Sequence, residues 1–396
     1  MDSGREVVVL SGVRTAIGDY GGALKDIAPT ELAAKVIREA VARAKVAPED
    51  VGHVVFGNVI HTEPKDMYLS RVATLNGGLP KETPALTLNR LCGSGLQAIV
   101  SAAQLIKLGD ADVALAGGAE SMSRGPYWMP DARWGSKMGP AKMVDPVMGG
   151  LTDPFNEILM GVTAENLAER MAITREEQDA FAVESHRRAA EAREAGRFDD
   201  EIVPVAVKVK RETVDFTRDE HIREDASLET MAKLPTVFKK EGGTVTAGNA
   251  SGLNDAAAAV VLMEKSAAEK RGLKPLARLV AYGHAGLDPR IMGLGPVSAV
   301  KNALAKAGLK IGDLDVIESN EAFAAQALGV NKELGLDPAK VNPNGGAVAL
   351  GHPIGATGAI LTIKALYELE RTQKRYALVT MCIGGGQGIA AIFERV

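Results

Sequence analysis

Residues 91–117 read LCGSGLQAIVSAAQLIKLGDADVALAG, and this stretch decides the architecture. From Gly95 to Gly109 the apolar residues Leu96, Ile99, Val100, Ala103 and Ile106 recur at helical steps and share one face. Asp112 to Gly117 then reads as a short buried strand, and Val51 to Ile60 supplies a strand upstream. The unit is therefore strand, Gly-rich turn, helix, strand. The same order returns late in the chain. Asp315 to Glu318 reads as a strand, LGHPIG follows, Thr362 to Arg371 places Ile363, Leu366 and Leu369 on one helical face, and Arg375 to Met381 closes the copy. Cys92-Gly93-Ser94-Gly95 and His352-Pro353-Ile354-Gly355 fall at equivalent points of the two copies. Two similar βαβ-rich halves packed face to face bring those points together across a pseudo-twofold axis. With Glu6 to Leu10 as an opening strand, the pattern predicts an α/β protein with mixed or parallel sheets covered by helices.

At 396 residues the chain exceeds the roughly 250–300 at which one core stops growing, so two or more core-forming units are expected. The sequence divides into an N-terminal half (residues 1–120 with 251–275), an inserted loop domain (121–250) and a C-terminal half (276–396). The insertion has a different character. It holds Met122, Met129, Met138, Met143, Met148 and Met160, both tryptophans and a heavily charged helix from Arg175 to Gly196, as suits a cover over a ligand. A net charge of −4 without long single-sign runs argues against nucleic acid or an anionic membrane surface as partner. No secretory signal or membrane span is expected, which points to the cytoplasm, where the only two cysteines, Cys92 and Cys382, stay as thiols. Two cysteines and six scattered histidines lack the spacing of a metal site.

Cys92 sits just ahead of Gly93 and Gly95 at the start of a helix, where free backbone N–H groups and the helix dipole lower a thiol's pKa and suit it to nucleophilic attack. Gly93-Ser94-Gly95-Leu96-Gln97-Ala98 also fits a dinucleotide fingerprint. The acidic residue that should end the next strand is missing, since Asp110 and Asp112 precede it, so a Rossmann site is rejected. His352 occupies the matching position of the second copy and could generate a thiolate with Cys92. Cys382 opens Cys382-Ile383-Gly384-Gly385-Gly386 at a strand end, where Gly-rich backbone offers N–H donors to an oxyanion and a thiol could exchange protons; taken alone it reads more readily as core. Asn320 follows another strand end, fit either to hold a water or carbonyl or to cap the next helix.

Seven segments in order resemble the thiolase family over nearly the whole chain: LCGSGLQAI (91–99), GGAESMS (117–123), MGVTAEN (160–166), TAGNASGLNDAAAA (246–259), SNEAFAAQ (319–326), NPNGGAVALGHPIGATG (342–358) and CIGGGQG (382–388). Within the family the sequence is most similar to bacterial biosynthetic acetyl-CoA acetyltransferases, and among these to the β-ketothiolase of polyhydroxyalkanoate synthesis. The resemblance implies a layered αβαβα thiolase-like fold and a ping-pong Claisen condensation or thiolysis of acyl-CoA substrates. It implies no prosthetic group, coenzyme A, acetyl-CoA and short 3-ketoacyl-CoA as substrates, and a homo-oligomer, a tetramer built from dimers with Trp128 to Lys142 as contact loop.

Residue by residue, the resemblance makes Cys92 the acylated nucleophile, His352 its activator, Cys382 the acid/base at the α-carbon and Asn320 the holder of a water facing the enolate oxygen. Backbone N–H groups of Cys92 and Gly384 would form the other oxyanion hole. Arg223 would lie near the nucleotide of CoA, Ser251 against the pantetheine, and Met160, Met292, Ala322 and Phe323 along the thioester channel. Two departures bear on acyl preference and CoA affinity. Leu159 stands where these enzymes carry a histidine, and Lys233-Leu234-Pro235-Thr236 lacks the arginine of the usual segment. A degradative 3-ketoacyl-CoA thiolase uses the same groups on longer chains. A non-catalytic CoA-binding relative would be expected to have lost one of Cys92, Asn320, His352 or Cys382.

Overall fold

The computed structural model describes residues 4–396, so the first part of the charged lead lies outside the described residues. In chain order the elements that matter are β1 (Val7–Thr15), α1 (Pro29–Ala44), β2 (His53–Gly57), β3 (Ala85–Leu88), α2 (Ser94–Leu108), β4 (Val113–Ser121), α3 (Met160–Met171), α4 (Arg175–Glu194), β5 (Asn254–Glu264), β6 (Ala277–Gly286), α5 (Gly295–Ala307), β7 (Val316–Ser319), α6 (Ala324–Leu334), α7 (Thr357–Thr372), β8 (Tyr376–Ile383) and β9 (Gln387–Arg395).

The spatial strand order is β7-β8-β9-β6-β1-β5-β4-β2-β3. Its two halves have the same internal order. In one, β2 and β4 are parallel, β4 and β5 antiparallel, β5 and β1 antiparallel. In the other, β7 and β8 are parallel, β8 and β9 antiparallel, β9 and β6 antiparallel. A seam of two residue pairs, Val8 with Arg278 and Val9 with Ala277, joins the halves edge to edge. The internal repeat is therefore real at the level of hydrogen bonding. Residues 122–253 run from β4 to β5, whereas Gly384 to Gly386 alone connect the equivalent β8 and β9.

Helices α2 and α7 fill the space between the two sheet halves, each touching strands of both, while α1 covers one outer face and α5 the other. This is the layered αβαβα arrangement. Strand side chains sort by alternation onto two buried faces. In β5, Ala256, Ala258, Val260 and Leu262 face the central layer, and Ala257, Ala259, Val261 and Met263 face the α1 side. In β9, Ile389, Ala391 and Phe393 point inward, while Ala390 and Ile392 meet the α5 side. The stretch from Leu91 to Leu108 reaches membrane-span length at a mean hydropathy of 1.3, which corrects the expectation that no stretch would. It contains α2, one of the two helices sandwiched between the sheets.

The two central helices cross at glycine. A Cβ on Gly95 would lie 2.8 Å from the Ala359 backbone nitrogen, and one on Gly358 would lie 2.2 Å from the Leu96 nitrogen. These contacts are reciprocal, as a pseudo-twofold axis requires. Only residues without a side chain permit the approach. Buried ion pairs tie the outer parts on. The Arg14 guanidinium in β1 meets Glu201 at 2.8 Å and Asp219 at 2.8 Å, both in the insertion, and Lys364 of α7 reaches Glu318 of β7 at 2.8 Å.

Candidate active site

Parallel strands end on the same side of a sheet, and the helices that follow them begin there. The repeat thus gathers two strand ends and two helix starts around one point. Cys92 precedes α2, Asn320 follows β7, His352 precedes α7, and Cys382 stands near the end of β8.

The nucleophile loop is tightly determined. Leu91 takes a left-handed backbone with φ of 47°, a conformation that costs a non-glycine residue about 1–3 kcal/mol unless its surroundings impose it. Asn89 Oδ1 accepts the Leu91 N–H at 2.8 Å, and Ser94 Oγ accepts the Arg90 N–H at 2.9 Å while donating to the Leu91 carbonyl at 2.6 Å. The Cys92 thiol, part-buried, is met by two backbone N–H groups, those of Gly384 and of Cys92 itself. Its pKa nevertheless rises to about 11, because desolvation outweighs those donors and Glu120 adds an unfavourable charge. This corrects the expectation that the helix start would leave a depressed thiol in the resting site.

His352 is almost fully buried, and desolvation lowers its pKa to about 4. Its Nδ1 lies 2.6 Å from Thr357 Oγ1, its Nε2 faces Asn320 Nδ2 at 3.5 Å, and its backbone N–H donates to Asn254 Oδ1 at 2.9 Å. Asn320 does not cap a helix: α6 begins after Phe323. Its side-chain Oδ1 is buried without a protein partner, as a group reserved for a water or a substrate atom would be. Cys382 is fully buried, and its thiol is pushed up by desolvation and then by the neighbouring Cys92. Both sulfurs are free thiols.

The residues expected along the channel divide into two groups. Met160, Met292, Ala322 and Cys382 form one apolar cluster with Phe323 packed against it, and Met160 approaches the position where a Gly384 side chain would stand. Ser251 joins the same wall, its N–H donating to the Ala322 carbonyl at 3.0 Å. Arg223 lies farther out, exposed, with its backbone N–H on His186 Nδ1 at 3.1 Å. Leu159 is the residue immediately before α3 and carries no side-chain cap.

Three polar residues inside the quoted motifs have positions that one-dimensional reading missed. Glu120, at the end of β4, accepts from Ile60 N at 3.0 Å, Val59 N at 3.1 Å, Asn58 Nδ2 at 3.2 Å and Gly355 N at 2.8 Å. It clasps the β2 end of one half to the histidine loop of the other, and burial raises its pKa to about 8. Asn254 links His352 to Asp19, whose carboxylate contacts His221 at 2.6 Å. Thr357 holds the imidazole. For Glu120 and Asn254 the available signal was a charge or amide at the end of an otherwise apolar strand, which needs donors or acceptors from elsewhere.

Comparison with known proteins gives a consistent answer. The family model described as thiolase, N-terminal domain, matches residues 7–266, and thiolase, C-terminal domain, matches residues 273–395. The chain is 69% identical to the beta-ketothiolase BktB of Cupriavidus necator over 99% of this chain and 100% of that one. Among solved structures it resembles the acetyl-CoA acetyltransferase of Bacillus anthracis (47% identity, TM-score 0.97, covering 99% of each chain). It also resembles human mitochondrial 3-ketoacyl-CoA thiolase in complex with CoA (48% identity, TM-score 0.96, covering 99% of this chain and 98% of that one).

Proposed function

The chain belongs to the thiolase family, and from that premise we propose that it is a β-ketothiolase, an acyl-CoA C-acyltransferase working through an S-acyl-Cys92 intermediate. The observation that carries the residue assignment is the convergence of Cys92, His352, Cys382 and Asn320, from four separate segments, at the strand ends of two repeated halves. Retention of all four argues against a non-catalytic relative.

The resting pair is neutral. Burial pushes the Cys92 thiol up to about 11 and the His352 imidazole down to about 4, and both shifts favour the neutral forms at rest. The proton therefore moves when a thioester is present to accept the sulfur. Cys92 gives its proton to His352 Nε2 as the sulfur attacks the acyl carbon, and the oxyanion falls to the N–H groups of Cys92 and Gly384. One such donor contributes roughly 2.7–4 kcal/mol elsewhere. The carbon–sulfur bond to CoA breaks, and the leaving thiolate takes the proton of Cys382. Imidazolium and Cys382 thiolate then face the second acetyl-CoA. Cys382 removes its α-proton, and the imidazolium and a water on Asn320 stabilise the enolate oxygen. The enolate attacks the acyl carbon, Cys92 departs as thiolate, and His352 returns its proton. Every proton is back in place, and thiolysis is the reverse.

The 69% identity to a β-ketothiolase over the full length favours the biosynthetic, short-chain reading over a degradative one. Met160, Met292, Ala322 and Phe323 would line the thioester channel, and Leu159, in place of the histidine, is the departure that bears on acyl preference. Arg223 and Ser251 would receive the nucleotide and pantetheine of CoA. We read residues 121–250 as the CoA-covering domain between the two thiolase halves, and the cytoplasm as the site of action. The loop near Trp128 to Lys142 exposes Trp128, Met129, Trp134 and Met138, the last 95% accessible. Such an apolar loop suits contact with further copies of the chain in a tetramer. CoA-dependent thiolysis across 3-ketoacyl-CoAs of increasing length tests the reading. Activity on four- and five-carbon substrates alone supports it, and rates rising with chain length favour the degradative enzyme.

A further inference from the structure

We propose that Thr357 is a positioning residue that fixes the tautomer of His352, keeping the lone pair on Nε2 where the reacting groups lie; this rests on His352 being the base. Thr357 is the first residue of α7 and is buried. Its Oγ1 lies 2.9 Å from the Pro353 carbonyl, one turn back, and 2.6 Å from His352 Nδ1. A hydroxyl has a single hydrogen and a carbonyl can only accept. The Pro353 carbonyl also accepts the Ala356 and Thr357 N–H groups, and both Oγ1 contacts are hydrogen bonds only when the hydroxyl hydrogen goes to Pro353 and Nδ1–H donates to Oγ1. A neutral imidazole carries one N–H, so Nε2 is bare. The other side of the ring agrees: the Asn320 amide nitrogen, a donor, faces Nε2 at 3.5 Å.

The consequence is chemical. The opposite tautomer would present N–H to the Cys92 thiol and could not take its proton. When Nε2 does take that proton, the imidazolium is charged and its Nδ1–H bond to Thr357 strengthens, so the contact contributes more after proton transfer than before. Burial alone sets the lowered pKa of the ring. The nearby carboxylates are Asp19, reached from the His352 backbone N–H through Asn254, and Glu120, held by the N–H of Gly355 in the same loop.

Three variants of the full-length protein test the assignment: Thr357→Val, which keeps shape and loses the hydroxyl, Thr357→Ser, which keeps the hydroxyl, and His352→Ala. Two quantities are read, the kcat and KM for acetoacetyl-CoA thiolysis and the pH dependence of Cys92 alkylation by iodoacetamide. Thr357→Val is expected to lower kcat roughly 10- to 100-fold, the worth of a hydrogen bond to a charged group, with KM within about twofold, and Thr357→Ser to restore most of it. Unchanged kcat in Thr357→Val, or a serine variant as impaired as the valine one, overturns the proposal. Should the valine variant not fold, Thr357→Ala is read the same way. If His352→Ala itself keeps wild-type kcat and alkylation, the base assignment fails; if only Thr357→Val is silent, the tautomer assignment alone fails.

Discussion

Replacing Gly358 by alanine should damage catalysis without touching any reacting group. The added Cβ would sit 2.2 Å from the Leu96 backbone nitrogen and 2.9 Å from its Cα, both in the crossing helix α2. Ordinary contact begins near 3.4 Å. The helices must then separate by about 1.2 Å, since backbone has no rotamer into which it can retreat. That motion is delivered to the wrong place. Helix α2 begins two residues after Cys92 and α7 five residues after His352, so the crossing point sets the distance between nucleophile and base. A displacement of about 1 Å can cost on the order of 100-fold in rate, and overpacking of this kind costs about 1–3 kcal/mol of stability. For 396 residues that corresponds to a melting temperature lower by about 1–4 °C. The assay is steady-state thiolysis of acetoacetyl-CoA beside thermal unfolding followed by circular dichroism. Gly312→Ala serves as control, because a Cβ there meets nothing within 4 Å. Wild-type kcat in Gly358→Ala would show that the crossing does not set the catalytic geometry.

Other outcomes are expected. Cys382→Ser should still acquire an acyl group on Cys92, at reduced rate, yet lose most condensation because a serine hydroxyl is a far poorer acid/base; unchanged condensation would remove Cys382 from the mechanism. His352 is held neutral, with a folded-state pKa near 4 against 6.5 unfolded, so between those values the unfolded chain binds more protons and stability falls as pH drops from 6.5 towards 4. The shift is worth about 3 kcal/mol, and unfolding of His352→Gln in urea should show a correspondingly weaker loss over that window. Lys364→Met strands the buried Glu318 carboxyl and should cost about 3–5 kcal/mol, whereas the double change with Glu318→Leu should recover most of it. Equal destabilisation of single and double variants would contradict that account.

The repeat and the chemistry were legible in one dimension for different reasons. The helical faces of α2 and α7 follow the 3.6-residue period because each presents apolar residues to sheets, and the strand–turn–helix–strand order survives in both copies. By contrast, β5 reads NDAAAAVVLME, a run buried on both faces in which neither period shows. The seam between β1 and β6 rests on two residue pairs that no local pattern announces. The upstream strand was drawn too long: β2 ends at Gly57, and Asn58 turns to serve Glu120. Cys92, His352 and Cys382 stood out through their glycine-rich contexts, and Asn320 through its place after a strand end. Asn254 lies 98 residues from His352, and Glu120 lies 235 from Gly355, so their partners exist only in three dimensions. The pKa of Cys92 failed as an expectation because helix-start electrostatics is local, while burial between two halves is not.

Intact-mass and peptide mass spectrometry after incubation with acetyl-CoA, with rapid acid quenching, tests the central claim most directly. One acetyl group per chain, mapped to Cys92, absent from Cys92→Ala and discharged by added CoA, is the predicted result. A chain that never acquires the acetyl group, or acquires it elsewhere and retains it in Cys92→Ala, would contradict the assignment of Cys92 as the nucleophile of a thiolase.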